Sequence, residues 1–335
     1  MKVLVVTNMY PTAKSPFYGI FVREQVEALK AAGIDPDVYF INGRENRLNY
    51  LKSILALTKR LRRRRYDLIH AHHSYCVFPV KVAEKLAFTS LPLILTFHEG
   101  EVHLPPDLKL KKVPFIRRLV FSRRIKRAAL QMTDMVVGVQ EEMLKRLDFK
   151  GPSVVLPCGV DCELFKPLDQ QWCRRLLGLP PEKKIILFPA PPGDRQKGID
   201  ILKAALRRIA GNDLMLVTAG NIPHEKMPYY MNAADVVVQL SRYEASPSVL
   251  KEALAVNTPA VFTAAGDAAK LINATSGGYY LSPRDPANVA ACIVKALGDN
   301  GNCDGRASII KADLTLNAVA GRIVRIYRRL LKARE

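Results

Sequence analysis

The chain lacks the marks of several protein classes. None of its 335 residues lies in an apolar run approaching the ~20 needed to cross a bilayer as a helix. The opening Met1-Lys2-Val3-Leu4-Val5-Val6-Thr7-Asn8 holds only a short apolar stretch before polar residues and proline. That fits a first strand and not a secretory leader, so a cytoplasmic location is expected. The six cysteines, at 76, 158, 162, 173, 292 and 303, include no Cys-x-x-Cys pair. This argues against structural zinc and a disulfide framework and for buried or incidental thiols. No G-x-G-x-x-G follows the first strand, where Thr7-Asn8-Met9-Tyr10-Pro11 stands, which speaks against a dinucleotide oxidoreductase. Internal repeats and low-complexity tracts are absent.

Acids are scarce: 31 Asp and Glu face 51 Lys and Arg, a formal charge of +20. The excess is uneven, with 27 cationic against 14 acidic residues through position 150 and 24 against 17 after it. The first half therefore suits an anionic partner or surface more than the second. Nucleic acid is disfavoured, because neither a recognition-helix signature nor clustered aromatics accompany the basic runs.

Apolar runs at 2–6, 36–41, 67–70, 91–97, 134–139 and 153–156 predict buried strands, separated by stretches of helical periodicity. A second set follows at 185–189, 214–218, 235–240, 259–263 and 279–281. Both read as α/β, with βαβ units wound into mostly parallel sheets. Irregular chain with prolines and glycine near 155–180 marks the joint. The helix over 48–64 is expected to turn Leu48, Leu51, Ile54, Leu55 and Leu61 inward, and a last helix covers about 315–333.

The most informative stretch runs from Glu244 to Glu252, directly after the strand at 235–240. Ser246 is a good N-cap, Pro247 suits the first helical position, and Val249, Leu250, Ala253 and Leu254 form an apolar stripe. A helix start carries unpaired N–H groups and partial positive charge, both favourable to anions. Two carboxylates eight residues apart on a helix lie roughly 12 Å apart along its axis and could grip two parts of an extended ligand. The same spacing also fits a surface helix with two solvated acids. The second stretch, Phe188 to Gly198, places Arg195 and Lys197 in a Pro- and Gly-rich loop after another strand. Two fixed cations suit a diphosphate whose charge grows as it departs, although a solvated basic loop reads the same way in isolation. Together the stretches describe a pocket for a nucleotide diphosphate, in the cleft facing the carboxyl ends of the strands.

On these motifs the chain resembles the retaining glycosyltransferases of GT-B architecture, in particular glycosyltransferase family 4. The matching segments are Pro16 to Val22, Asp67-Leu68-Ile69-His70-Ala71-His72, Thr96-Phe97-His98, Leu156 to Asp161 with Phe165-Lys166-Pro167, Arg195 to Gly198, Tyr230 to Asp235, and the Glu-x7-Glu segment. The resemblance implies two Rossmann-like doubly wound domains facing a central cleft. The first would be an acceptor-side domain over 1–160, joined by the helix at 315–335, and the second a nucleotide-sugar-binding domain over 161–314. It further implies that Arg195 and Lys197 hold the diphosphate, that Glu252 binds the ribose and that Glu244 contacts the donor sugar. Ser246, Ser248 and Val249 would cradle phosphate, Gly19 would let a loop approach it, and His98 would sit near the transferred sugar. The base would rest against Asn221, Ile222 and Pro223. Ala245 stands where the family often has glycine, and Arg195 and Lys197 lie closer together than is usual.

The implied reaction is retaining transfer from a UDP- or GDP-linked sugar to a glycan or lipid-linked acceptor, on the path to polysaccharide. A catalytically silent nucleotide-sugar-binding scaffold is the alternative. No carboxylate pair for double displacement stands out, so front-face substitution without a metal or other cofactor is expected. Asp35-Pro36-Asp37 leads into the second strand at its amino end, away from the expected cleft, and His70, His72 and His73 suit strand-end packing better than metal binding. The basic segments Lys59–Arg65 and Lys109–Arg127 fit an anionic membrane surface with peripheral attachment at its inner face, or guidance of a phosphorylated lipid acceptor, and fit a merely solvated basic surface equally well. Residues 117–127 scatter their cations around a helical wheel and offer no clean amphipathic face.

Overall fold

Runs of Val, Ile and Leu flanked by turn residues form the strands of two parallel sheets, one in each of two units. In the computed structural model, residues 1–98, 123–211, 213–220, 222–299 and 303–334 are described. One unit comprises Met1–Cys158 with Leu316–Glu335, and the other Gly159–Thr315.

The first unit contains β1 (Lys2–Thr7), α1 (Ile20–Ala31), β2 (Asp35–Phe40), α2 (Asn49–Arg63), β3 (Leu68–His72), α3 (Val77–Ala87), β4 (Leu93–Phe97), α4 (Arg123–Gln131), β5 (Met135–Gly138), α5 (Glu141–Leu147) and β6 (Ser153–Val155). Its six strands lie in the order β2-β1-β3-β4-β5-β6, all parallel. Every residue of β3 and β4 is buried, as expected of parallel strands covered on both faces. Gly19 precedes α1 with φ 75°, and a Cβ there would meet the Met9 carbonyl carbon at 2.3 Å. Only glycine fits that bend.

The second unit contains α6 (Gln170–Leu177), β7 (Lys184–Phe188), α7 (Ile199–Leu206), β8 (Leu214–Thr218), α8 (Met227–Ala233), β9 (Val236–Gln239), α9 (Ser248–Ala255), β10 (Ala260–Phe262), α10 (Ala268–Ile272), β11 (Tyr279–Leu281), α11 (Pro286–Gly298) and α12 (Gly305–Lys311). The strand order is β11-β10-β9-β7-β8, again parallel. The winding starts at β7, steps to β8, then reverses to β9 on the other side of β7. The switch point of this sheet therefore lies between β7 and β9, where doubly wound sheets open a crevice at their carboxyl ends.

α13 (Leu316–Lys332) returns to the first unit and packs Val319, Ile323, Tyr327 and Leu330 against Val3 and Val5 of β1 and Val26 and Leu29 of α1. Full burial of such apolar side chains contributes about 1.5–3 kcal/mol each. Tyr327 also donates or accepts at 2.6 Å with His70 Nδ1, and His70 Nε2 lies 2.7 Å from Thr96 Oγ1. The C-terminal helix is thus held by polar as well as apolar contacts.

The inward face expected for α2 is corrected. Its buried residues are Ser53, Leu57 and Thr58, whereas Leu48, Leu51 and Leu55 are exposed and Ile54 and Leu61 are half-buried. The hydroxyls of Ser53 and Thr58 donate to the carbonyls of Tyr50 and Ile54, so both polar residues can be buried without an unpaired group.

Tyr327→Phe leaves His70 Nδ1 without its partner in a buried site. The expected result is a loss of about 1–3 kcal/mol in the unfolding free energy of the first unit, read from urea denaturation.

Candidate functional site

The loops after β7 and β9 meet because their strands are neighbours. Lys197 N donates to Asp194 Oδ1 at 3.0 Å, which sets the turn of the first loop. Gly198 follows with φ 89°, and a Cβ there would lie 2.6 Å from both Leu240 Cβ and the Leu240 carbonyl oxygen. This approach lets Leu240 N donate to Lys197 O at 2.9 Å and Arg242 N to Gln196 O at 3.0 Å. The Lys197 ammonium consequently reaches the Glu244 carboxylate. The same Glu244 oxygen accepts from Gln239 Nε2 at 2.9 Å and from Ser241 Oγ at 2.6 Å. Three donors on one oxygen fix the direction of this side chain.

Arg284, just beyond β11, locks the two loops together. Its Nη1 donates to the carbonyls of Leu240 and, at 3.2 Å, of Gln196, while Nη2 donates to Arg195 O at 3.2 Å. Nothing in the sequence singled out Arg284, because its partners are main-chain oxygens that carry no residue signature. Arg195 contributes its carbonyl to this tie, and its side chain is exposed. The structure thus joins Lys197 to Glu244 without drawing the Arg195 guanidinium into the same cluster.

The start of α9 differs from expectation. The helix begins at Ser248, with Pro247 in the cap position at φ −67°, ψ 106° and no side-chain cap. Ser246 is engaged elsewhere: its hydroxyl donates to Asp267 Oδ2 at 2.9 Å and accepts from the Lys251 ammonium. Lys251 is fully buried and lies 3.7 Å from Asp267 Oδ2, so a buried cation, a hydroxyl and a carboxylate clamp the helix start to the loop after β10. Glu244 lies in the loop ahead of α9 and not on the helix. The two glutamates are therefore not two turns apart on one axis. Ser248 and Val249 occupy the first turn, whose N–H groups have no partners within the helix.

Glu252, in the second turn, is buried and places Oε1 3.4 Å from His224 Nε2. The His224 ring packs 5.2 Å from that of Phe165. Ile222 is half-buried against the core of this unit, and Pro223 leads into the turn that carries His224. Asn221 lies outside the described residues.

In the first unit His98 follows β4 at the carboxyl edge of the sheet. Its Nε2 is 3.0 Å from His72 Nδ1, and its ring lies 4.7 Å from Phe21. Burial pushes the pKa values of His70 and His98 down to about 3, and neighbouring histidines add to the shift. Burial lowers His72 in the same direction and His73 to about 3. Both rings of the His72–His98 pair are accordingly neutral near pH 7, and only one of the two facing nitrogens carries the hydrogen. The tautomer of His98 is thereby coupled to that of His72. Gly19 stands at the same edge, after β1. Asp37 is occupied by Arg60, Arg64 at 2.7 Å and Tyr66. Among the described residues, no group of three or more His, Cys, Asp or Glu is placed to hold a metal ion.

Two outcomes follow from these contacts. Arg284→Ala removes the tie between the loops and is expected to lower the unfolding free energy of the second unit by about 2–3 kcal/mol, with Arg284→Lys recovering only part of it in urea titrations. The buried histidines make the first unit acid-sensitive. Above the ordinary value of 6.5 they are neutral in both states; between 6.5 and about 3 the unfolded chain binds protons that the folded chain refuses. Stability should therefore fall with pH by up to about 1.4 kcal/mol per unit for each such histidine. Urea midpoints measured across this window check the slope.

Two family models match the chain: Glycosyltransferase Family 4 over residues 2–164 and Glycosyl transferases group 1 over residues 216–313. A Bacillus subtilis (strain 168) protein assigned to teichuronic acid biosynthesis, glycosyltransferase TuaC, is 24% identical over 81% of this chain and 83% of its own. Sucrose-phosphate synthase (tll1590) from Thermosynechococcus elongatus superposes with a TM-score of 0.80 at 23% identity, covering 99% of this chain and 100% of that one. Anabaena Alr3699/HepE, solved in complex with UDP, superposes with a TM-score of 0.69 at 16% identity over 98% of this chain and all (100%) of its own. With both family models in chain order on two parallel, doubly wound units, the chain belongs to the GT-B glycosyltransferases of family 4 type.

Proposed function

We propose that this glycosyltransferase moves a sugar, with retention, from a UDP- or GDP-linked donor to a glycan or lipid-linked acceptor during polysaccharide synthesis at the cytoplasmic face of the membrane. The observation that carries the reading is the meeting of Lys197 and Glu244 at the switch point between β7 and β9, beside the start of α9. A cation, a fixed carboxylate and a helix start at one place suit the diphosphate and the sugar of one ligand. The UDP held by HepE supports the ligand class, and the assignment of TuaC to teichuronic acid biosynthesis supports a role in polysaccharide synthesis.

In this reading Lys197 and Arg195 neutralise the diphosphate, and the amides of Ser248 and Val249 bind its oxygens. Ser246, held through its hydroxyl, fixes the turn that presents them. Glu252 accepts hydrogen bonds from the ribose hydroxyls, Ile222 and Pro223 with Asn221 border the base, and Glu244 accepts from hydroxyls of the sugar. The acceptor hydroxyl attacks the anomeric carbon on the face the diphosphate leaves. Its carbon–oxygen bond to diphosphate breaks, the glycosidic bond forms, and the acceptor proton passes to a diphosphate oxygen. Lys197 stabilises the charge that grows there, so the rate comes from positioning and electrostatics and no metal is needed.

Turnover of nucleotide sugars, followed by release of nucleoside diphosphate in excess chelator, tests the scheme. Lys197→Ala should lower kcat by about 100-fold or more, as expected for loss of a fixed charge at a leaving group. Unchanged turnover in that variant would remove Lys197 from the chemistry, and donor binding without any transfer would favour the scaffold alternative.

A further inference from the structure

The exposed leucines of α2 are part of a larger surface. α2 packs against α3, and Arg62 Nη2 donates to Leu86 O at 2.5 Å across the two helices. At about 100° per residue, Leu48, Leu51, Lys52, Leu55, Lys59 and Arg62 fall within an arc of about 100°. All of them are exposed, Leu51 at 64% and Leu55 at 72%. On α3, Val82, Lys85 and Leu86 are exposed as well, and Phe88, which ends that helix in the left-handed region at φ 53°, is 91% exposed. This many large apolar side chains exposed on two adjoining helices are unusual on a water-facing surface.

The exposed charges of these two helices have one sign. α2 contains no acid, and the single acid of α3, Glu84, is buried and paired with Lys81 at 2.7 Å. Arg60 and Arg64 turn away to Asp37, leaving Lys52, Lys59, Arg62, Arg63 and Lys85 among the apolar side chains. No helix among the described residues is long and apolar enough to cross a membrane. We infer that the α2–α3 face docks the protein on an anionic phospholipid surface, with Leu51, Leu55 and Phe88 entering the headgroup boundary and the cations meeting lipid phosphates. A protein partner would have to be rich in acids to match this face, and a second copy would set cation against cation. Of the two basic segments, Lys59–Arg65 supplies the cations at the end of α2, whereas 109–122 of the other lie outside the described residues. The inference gives the lipid-linked acceptor of the preceding reading a place of encounter and rests on that reading for its purpose alone.

The full chain is sedimented with phosphatidylcholine vesicles with and without phosphatidylglycerol, at low and high salt and without nucleotide sugar. Binding is expected only to the anionic vesicles and is weakened by salt. The triple variant Lys52→Ala, Lys59→Ala, Arg63→Ala should lower the partition coefficient by about 100-fold. Leu51→Ser, Leu55→Ser, Phe88→Ser should lower it at least about tenfold while leaving the thermal melt unchanged, because these side chains are exposed. Equal binding to neutral and anionic vesicles, or variants that bind like the parent, would overturn the inference. So would a concentration-dependent dimer, lost in the leucine variant, with no vesicle binding. Because no donor is present, failure here leaves the transferase reading standing, and failure of transfer leaves vesicle binding readable.

Discussion

The pairing of β9 with β7 is the constraint on which the candidate site depends. The register Ile186↔Val236 and Leu187↔Val237 brings two strands together that are separated in the chain by β8 and two helices. Because both run parallel, their carboxyl ends and the loops beyond them emerge at one edge. Had β9 added beyond β8, the loops carrying Lys197 and Glu244 would be separated by a strand. The close approach at Gly198 and the main-chain bonds of Leu240 and Arg242 then extend the contact past the strands. Arg284 closes the arrangement from a third loop, donating to carbonyl oxygens of both loops.

Ionic groups in this unit are buried in company. Lys197 is half-exposed against a Glu244 that also has two neutral donors, and Lys251 is fully buried between Ser246 and the Asp267 carboxylate. Burying such charges is costly unless hydrogen bonds and an opposite charge compensate. The two clusters thus differ in accessibility. The Lys251 group fixes the backbone at the start of α9, while the Lys197 side chain remains 26% exposed beside Glu244. In the first unit the polar cluster under α13 is neutral instead, with histidines, Thr96 and Tyr327 bonded to one another.

Strand positions were legible in the chain because continuous Val, Ile and Leu runs bounded by Gly, Pro and Asn admit little else in an α/β protein. The candidate residues Lys197, Glu244 and Glu252 stood out in the chain as charged residues in the segments that follow such runs. The cap at Ser246 was misread: its hydroxyl satisfies the rule for a helix start, but Lys251 and Asp267 compete for it from within and across the loop. The face of α2 was misread for a related reason. Apolar periodicity gives the burial side only when all apolar residues are buried, and here Ser53 and Thr58 take the inner positions by bonding back to the helix.

Local sequence by itself determined the alternation of strand and helix, the division into two wound units, and the residue types available at each strand end, since these follow from period, turn chemistry and charge along the chain. Tertiary structure alone decided which strand ends are neighbours, which carbonyls Arg284 binds, and which side of α2 meets water. Each of these depends on contacts between residues tens of positions or more apart, and the energy of such a contact is a property of the pair and not of either segment.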